Sequence, residues 1–364
     1  MKVLFFARDP GGANTIIPVL KRMQKEQEVI CYGKDAAFFR MKQNGILCKD
    51  IKEALSEITE RSIYQFLESL DVDALVTGTS INDFTERYLW KAAEKMGIFS
   101  VAIQDQWMNL GIRFSKYTYA EKEIYEKEKI FEYLPSKICI MDELGKEMLM
   151  QEGMEESRIS VTGQPHFDTV KERYNSINLQ NDREIFTVIY VSEPIVQDYD
   201  FGDEEHLYWG FNEHTIYHHL IECLERISSE FEKQIKVIIR PHPRENLTYW
   251  ENLEKNHTDI DISFDCKTET FELLKRAEVV CGMSSMFLLE ANICEIPIIS
   301  MMIGLKRENP FVLDKIGLCK SVLDKEALYE KMKNIVLGNR NTASFKIVEH
   351  AAENVINMIL DTGK

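Results

Sequence analysis

The residues best equipped for chemistry stand at the ends of two apolar runs in the second half of the chain. Val237-Ile238-Ile239 leads into Arg240-Pro241-His242-Pro243-Arg244, and Val279-Val280-Cys281 leads into Gly282-Met283-Ser284-Ser285-Met286. Each run reads as a buried strand that ends in a polar loop, and the second loop opens a helix. A helix N-terminus carries unpaired N–H groups and the positive end of the helix dipole, which suits a phosphate. Arg240 and His242 would add charged and neutral donors to the same anion. The two prolines fix the backbone and remove two N–H donors, so the ring of His242 is left to donate. The pattern is that of a pocket for a nucleotide mono- or diphosphate at the carboxyl edge of a parallel sheet. Gly282, Ser284 and Ser285 form its helix side, although an ordinary serine N-cap gives the same residues. Glu290 on that helix could reach ribose hydroxyls or stand as a plain helix carboxylate.

Other strand ends carry polar loops of the same kind. Ser192 and Glu193 close the run Phe186–Val191 and would face the donor. Arg8-Asp9-Pro10-Gly11-Gly12-Ala13-Asn14 reads as a turn whose glycines admit a ligand close to the backbone. It is neither a G-x-G-x-x-G fingerprint nor a P-loop. Gly11, Gly12, Asn14 and Thr79 are candidates for contact with a sugar or an acceptor. Gln104-Asp105-Gln106-Trp107-Met108-Asn109 follows another apolar run. Asp105 is the best-placed carboxylate for a catalytic base, with Asp9 second, although Asp105 could equally cap the following segment. Trp107 could be a sugar-stacking platform or a core residue. Asn109 lies in the same loop, and Arg113 could pair with a carboxylate in bidentate fashion. His214 and His218 share a helix face, but H-E-x-x-H is absent, and these residues are read as lining rather than as metal ligands. No metal and no cofactor are expected.

The elements that would position these loops alternate. Strands are expected at residues 2–7, 28–32, 73–78, 99–104, 137–141 and near 158–168, with helices at 14–25, 35–43, 53–71, 83–96 and 142–152. A second set follows a charged stretch at 171–184. It has strands at 186–191, 235–240, 278–281, 297–301 and near 319–322, and helices at 212–232, 325–336 and 344–361. Continuous apolar strands that alternate with helices imply parallel sheets covered on both faces. The expected class is therefore α/β, with two Rossmann-like doubly wound domains facing a cleft. The expected domains are 1–168 on the acceptor side and 169–364 on the donor side, with the last helix free to cross back to the first.

A strand ending in His-Pro, followed by a strand ending in a serine pair at a helix start, resembles glycosyltransferases of the GT-B architecture. The nearest resemblance is to bacterial transferases that use CMP-activated sialic-acid-like sugars and to capsule and teichoic-acid polymerases that use CDP-glycerol. The resemblance implies that His242, Ser284 and Ser285 bind the donor phosphate. Thr162-Gly163-Gln164-Pro165 is similar to the Thr-Gly-x-Pro linker of such enzymes, which places Gly163, Gln164 and Pro165 on the donor side. Those sialyltransferases also carry a paired-acid-Gly motif in the first domain. It is absent here, which leaves Asp105 or Asp9 as the base.

The implied reaction is metal-independent direct displacement of a sugar from a nucleotide-activated donor, CMP-linked by preference. The acceptor hydroxyl would belong to a glycan, a lipid-linked carrier or a protein. Asp105, or failing it Asp9, would remove the acceptor proton, while Arg240, His242 and the serine-bearing helix end would stabilise the leaving phosphate. The alternatives are a nucleotide-sugar 2-epimerase or hydrolase of the same fold and a non-catalytic nucleotide-binding relative. The chain has 364 residues, 45% hydrophobic and 29% charged, which suits two globular domains. A net charge of −16 argues against nucleic acid as a partner. No apolar run reaches the roughly 20 residues of a membrane span. Eight scattered cysteines without a C-x-x-C pair read as buried thiols of a cytoplasmic protein.

Overall fold

A computed structural model of the protein describes residues 1–179, 185–200, 202–203, 205–253, 260–339 and 343–361. The chain forms two compact units, Met1–Thr169 with Ile347–Lys364, and Val170–Lys346. The charged stretch expected after residue 170 begins as the helix Val170–Ser176, and its positions 180–184 lie outside the described residues.

Unit 1 is built on seven strands: β1 (Lys2–Ala7), β2 (Glu28–Gly33), β3 (Lys49–Asp50), β4 (Ala74–Thr77), β5 (Phe99–Ile103), β6 (Lys137–Ile140) and β7 (Ile159–Val161). All pairs are parallel, in the order β3-β2-β1-β4-β5-β6-β7. β1 shows why these segments are strands. Val3, Phe5 and Ala7 join one core cluster, which includes residues of the helices Pro10–Met23 and Ala351–Asp361. Leu4 and Phe6 point the other way into a second cluster with the helices Glu60–Leu70 and Thr85–Met96. A strand buried on both faces has no polar alternation, so it reads as an unbroken apolar run.

Unit 2 has five parallel strands: β8 (Phe186–Val191), β9 (Ile235–Arg240), β10 (Ile260–Phe264), β11 (Val279–Gly282) and β12 (Ile298–Ser300). Their order is β10-β9-β8-β11-β12. The long helix Glu213–Phe231 starts with a capping box between Asn212 and Thr215. The two doubly wound parallel sheets are those of the GT-B architecture. In each, the order reverses beside the first strand of the unit: β1 lies between β2 and β4, and β8 between β9 and β11. Such switch points are where open α/β sheets bind ligands, outside the carboxyl ends of the strands.

Four local expectations are corrected. Pro10-Gly11-Gly12-Ala13-Asn14 is the first turn of the helix Pro10–Met23 rather than a turn preceding it. Proline is preorganised for the first helical position, where its missing N–H costs nothing. The expected helix 53–71 is two pieces, Ile51–Ala54 and Glu60–Leu70, because Asp50 and Thr59 each cap a new helix start. β3 and β10, both edge strands, were not expected. Residues 319–322 contribute only an isolated bridge, Met301 with Val322.

Candidate functional site

The switch point of unit 2 gathers the ends of β8, β9 and β11. Ser285 is the N-cap of the helix Met286–Ile293, and its Oγ accepts the Phe287 N–H at 3.2 Å. Ser284 stands just before it. Its N–H donates to Glu193 Oε2 at 2.7 Å, and its hydroxyl donates to Oε1 at 2.8 Å. Glu193 comes from the residues just after β8. The seat that the sequence assigned to a phosphate is thus filled by a carboxylate of the protein itself. Burial pushes the Glu193 carboxyl up, while the bonds from Ser284 act in the opposite direction. Gly282 is needed here because a Cβ would come within 3.0 Å of the Val191 carbonyl oxygen on β8.

The turn after β9 is fixed at several points. Arg244 N–H donates to His242 Nδ1 at 3.2 Å. Burial, reinforced by the Arg244 charge, pulls the imidazole down to about 4. His242 is therefore neutral near pH 7, with Nδ1 accepting and the ring proton on Nε2. It can offer one neutral N–H to an anion. Arg244 forms a bidentate pair with Asp198 at 3.1 and 2.8 Å. Arg240 donates to the Asp265 carbonyl at 3.1 Å, with the Asp265 carboxylate at 3.8 Å, so its guanidinium is partly committed. Glu245 ties the turn together. It accepts from the His242 N–H at 2.9 Å, the Ser192 hydroxyl at 2.7 Å and the Trp250 indole N–H at 2.5 Å. Sequence reading passed over Glu245, although a carboxylate three positions after the first residue of a tight turn is a local capping signal. Glu290 is half-buried on the helix Met286–Ile293.

The switch point of unit 1 gathers the ends of β1, β4 and β5. Gly11 and Gly12 sit in the first helical turn, where a side chain at either would crowd its neighbours. A Cβ on Gly12 would lie 3.2 Å from Gly78 Cα, and one on Gly11 would lie 1.9 Å from Asp105 Oδ2. The helix start therefore packs backbone to backbone on the end of β4, and the Asp105 carboxylate lies against it. Arg113 holds Asp105 Oδ1 at 2.9 Å and also donates to the Thr79 hydroxyl at 2.7 Å and the Thr79 carbonyl at 2.9 Å. Its Nε donates to the carbonyl of Asn109, a residue in the left-handed region.

This corrects the role expected for Arg113. It is 2% exposed, and its fork is spent on fixing Asp105, Thr79 and the Asn109 loop, so it does not project to grip a ligand carboxylate. Trp107 is also buried, and its indole donates to Asp142 at 2.8 Å, so it stands in the core and not as an open platform. Asn14 accepts from Arg40 at 2.8 Å. Asp9 pairs with Arg8 at 2.7 Å. Gln164 donates to the Asp105 carbonyl at 3.2 Å, and Gly163, at φ 85°, lies against Val348 and Ala351. Pro165 follows them in the same segment, whose observed contacts are structural ones within unit 1.

Sequence reading also passed over Glu86. It is 1% exposed, and its Oε1 accepts the Arg8 N–H at 3.3 Å. Its Oε2 has no partner among the described residues. Burial, then the charges of Asp9 and Asp83, raise its carboxyl to about 8. Nothing in its place on an amphipathic helix signals this. His214 stacks on Tyr249 with ring centroids 3.4 Å apart, and His218 Nε2 shares a 2.8 Å hydrogen bond with the Tyr249 hydroxyl. Among the described residues no three His, Cys, Asp or Glu side chains are grouped to hold a metal ion. Nor is any described helix long and apolar enough to cross a membrane.

No protein-family model matches the chain, and no curated protein matches it in sequence. Solved structures do match it over its whole length. The UDP-GlcNAc 2-epimerase of Methanocaldococcus jannaschii aligns with a TM-score of 0.67 at 16% identity, covering 99% of this chain and 100% of that one. MnaA of S. aureus, solved with UDP, aligns at 0.69 and 14% identity over 99% and 96% of the two chains. The UDP-GlcNAc 2-epimerase of Neisseria meningitidis, bound to UDP-GlcNAc, aligns at 0.67 and 12% identity over 99% and 100%. At these identities the likeness defines the fold, a GT-B-like pair of α/β domains. It also corrects the expected enzyme class. The full-length likenesses named above are to UDP-GlcNAc 2-epimerases, where a glycosyltransferase was expected, and nothing in the comparisons supports a CMP- or CDP-linked donor.

Proposed function

We propose that the chain binds a uridine-diphosphate sugar at the switch point of unit 2 and acts on it as a nucleotide-sugar 2-epimerase or hydrolase. The observation that carries this reading is the pairing of two donors at one switch point. One is the neutral His242 ring, and the other is the Ser284-Ser285 helix start. The setting supports it, since the chain follows the full length of solved UDP-GlcNAc 2-epimerases, one in complex with UDP-GlcNAc and UDP and one bound to UDP-GlcNAc. In this reading the diphosphate replaces Glu193 on Ser284 and accepts the Nε2 proton of His242, and Arg240 contributes charge from the end of β9. Fixed donors of this kind stabilise charge on a leaving phosphate without reorganising. Inversion at a sugar carbon needs a proton taken from one face and returned to the other, hence two acid–base groups.

The test is incubation with UDP-GlcNAc alone in deuterated water, followed by proton and phosphorus NMR. The expected result is a second set of sugar resonances with deuterium at C2, or free UDP with free sugar. Binding without conversion would remove the enzymatic reading and leave a nucleotide-binding protein. Absence of binding to both UDP and UDP-GlcNAc would sink the proposal entirely.

A further inference from the structure

We infer that Glu245 is a positioning residue of the nucleotide site, setting the single hydrogen-bonding face that His242 presents; this rests on the function proposed above. Glu245 makes no direct claim on a ligand, because both of its oxygens are occupied. Oε1 accepts from the Ser192 hydroxyl at 2.7 Å and from the Trp250 indole at 2.5 Å. Oε2 accepts from the His242 N–H at 2.9 Å. The Glu245 N–H in turn donates to the His242 carbonyl at 2.9 Å. One side chain therefore joins three segments: Ser192 just after β8, the turn after β9, and the short helix Thr248–Glu251 that bears Trp250.

The consequence falls on the imidazole. With the His242 backbone N–H held by Glu245, the turn is closed, and the Arg244 N–H is brought onto Nδ1. The Arg244 guanidinium cannot compete for that role, because it is committed to Asp198. One ring nitrogen is thus consumed as an acceptor inside the turn, and Nε2 carries the proton. Without Glu245 three donors lose their acceptor, and the turn loses its link to the end of β8. The ring is then free to exchange tautomers and to rotate. A phosphate would meet an acceptor nitrogen part of the time, which is repulsive. Placement by a supporting shell of this kind commonly decides whether a site works.

The test compares wild type with Glu245→Ala, Glu245→Gln and the milder Ser192→Ala, which removes one donor and leaves the carboxylate in place. Nitrogen-15 NMR reads the His242 tautomer and the Trp250 indole N–H without any nucleotide, and calorimetry reads UDP affinity. In Glu245→Ala the indole signal should shift and the His242 spectrum should move from one tautomer to a mixture. UDP affinity should fall 10-fold or more, Ser192→Ala should fall part of the way, and Glu245→Gln should recover part of the loss. Adding His242→Ala to Glu245→Ala should cost little more, since the ring is already misplaced. An unchanged tautomer in Glu245→Ala overturns the inference whether or not UDP binds. Losses from Glu245→Ala and His242→Ala that simply add also overturn it. If UDP binds to no form while the tautomer shifts as expected, the proposed function fails and the positioning role stands.

Discussion

Glu193 offers the sharpest perturbation. Its carboxylate makes two bonds to Ser284, at 2.7 and 2.8 Å, at the start of the helix Met286–Ile293. A ligand phosphate that takes the same donors must first release them. Hydrogen bonds to a charged group contribute about 1.5–3 kcal/mol net each. The phosphate regains the two donors, and water takes back the freed carboxylate, so the residual cost is on the order of one such bond. That corresponds to roughly 10- to 150-fold in affinity, at about 1.4 kcal/mol per tenfold. Glu193→Ala removes the competitor and should tighten UDP binding by at least about tenfold. Glu193→Gln should fall between the two, because a neutral amide oxygen is the weaker acceptor. Since burial raises the Glu193 carboxyl, wild-type affinity should improve as pH falls toward that group's titration and change less in Glu193→Ala. Isothermal calorimetry with UDP and with inorganic pyrophosphate measures all of this. An affinity within twofold of wild type in Glu193→Ala would refute the exchange, and a weaker one would mean that Glu193 is a ligand contact.

Other expectations follow from the same geometry. His242→Ala should weaken UDP binding by about 10- to 100-fold, the value of one hydrogen bond to a charged group. Because the His242 ring is held down to about 4, the wild-type contribution should stay flat between pH 6 and 8 in a calorimetric series. Glu86→Gln should stabilise the protein at alkaline pH. The folded protein holds that proton up to about 8, against 4.5 for the free group, so wild-type stability declines as pH rises between the two values. The gain above pH 8 has an upper bound of about 5 kcal/mol at 1.36 kcal/mol per pKa unit, and urea titrations at pH 5 and 9 should show it growing with pH. Gly78→Ala should cost about 1–3 kcal/mol in urea denaturation, because its Cβ would meet Gly12 Cα at 2.7 Å, where backbone faces backbone.

Much of the fold was legible in the sequence because its strands are buried on both faces. Val3–Ala7 is an uninterrupted apolar run and Phe186–Val191 is broken only by Thr187, and the alternation of such runs with helices implies parallel sheets. β10 escaped notice because an edge strand with Asp261 and Ser263 in its middle lacks that signature. The Pro-Gly-Gly segment was misread because its composition is that of a turn, while its conformation is set by a tertiary contact with Gly78. Arg113 was misread for a related reason. Its partners Thr79 and Asp105 and the Asn109 carbonyl come together only when the ends of β4 and β5 are side by side. Glu193 and Ser284 were each singled out, but their mutual bond spans 91 positions and is invisible in sequence. The class of reaction was least legible. His-Pro and a serine pair specify an anion seat and say little about what happens to the sugar.

The return of the chain to unit 1 has a consequence for how the protein is made. Asp168 caps the helix Ala351–Asp361 by accepting from the N–H groups of Ala351 and Ala352 at 3.0 and 2.9 Å, and Asn354 donates to the Thr162 carbonyl at 3.0 Å. Ala352, Val355 and Ile359 complete a core whose other members lie in the first 139 residues. During synthesis, unit 2 therefore has all of its residues before unit 1 does, although unit 1 emerges first. Until the closing helix arrives, one face of the nascent sheet has the helix Pro10–Met23 but lacks the rest of its cover. That interval is when a chaperone has something to hold, and when a premature stop near residue 346 would strand the first half of the molecule while sparing the second.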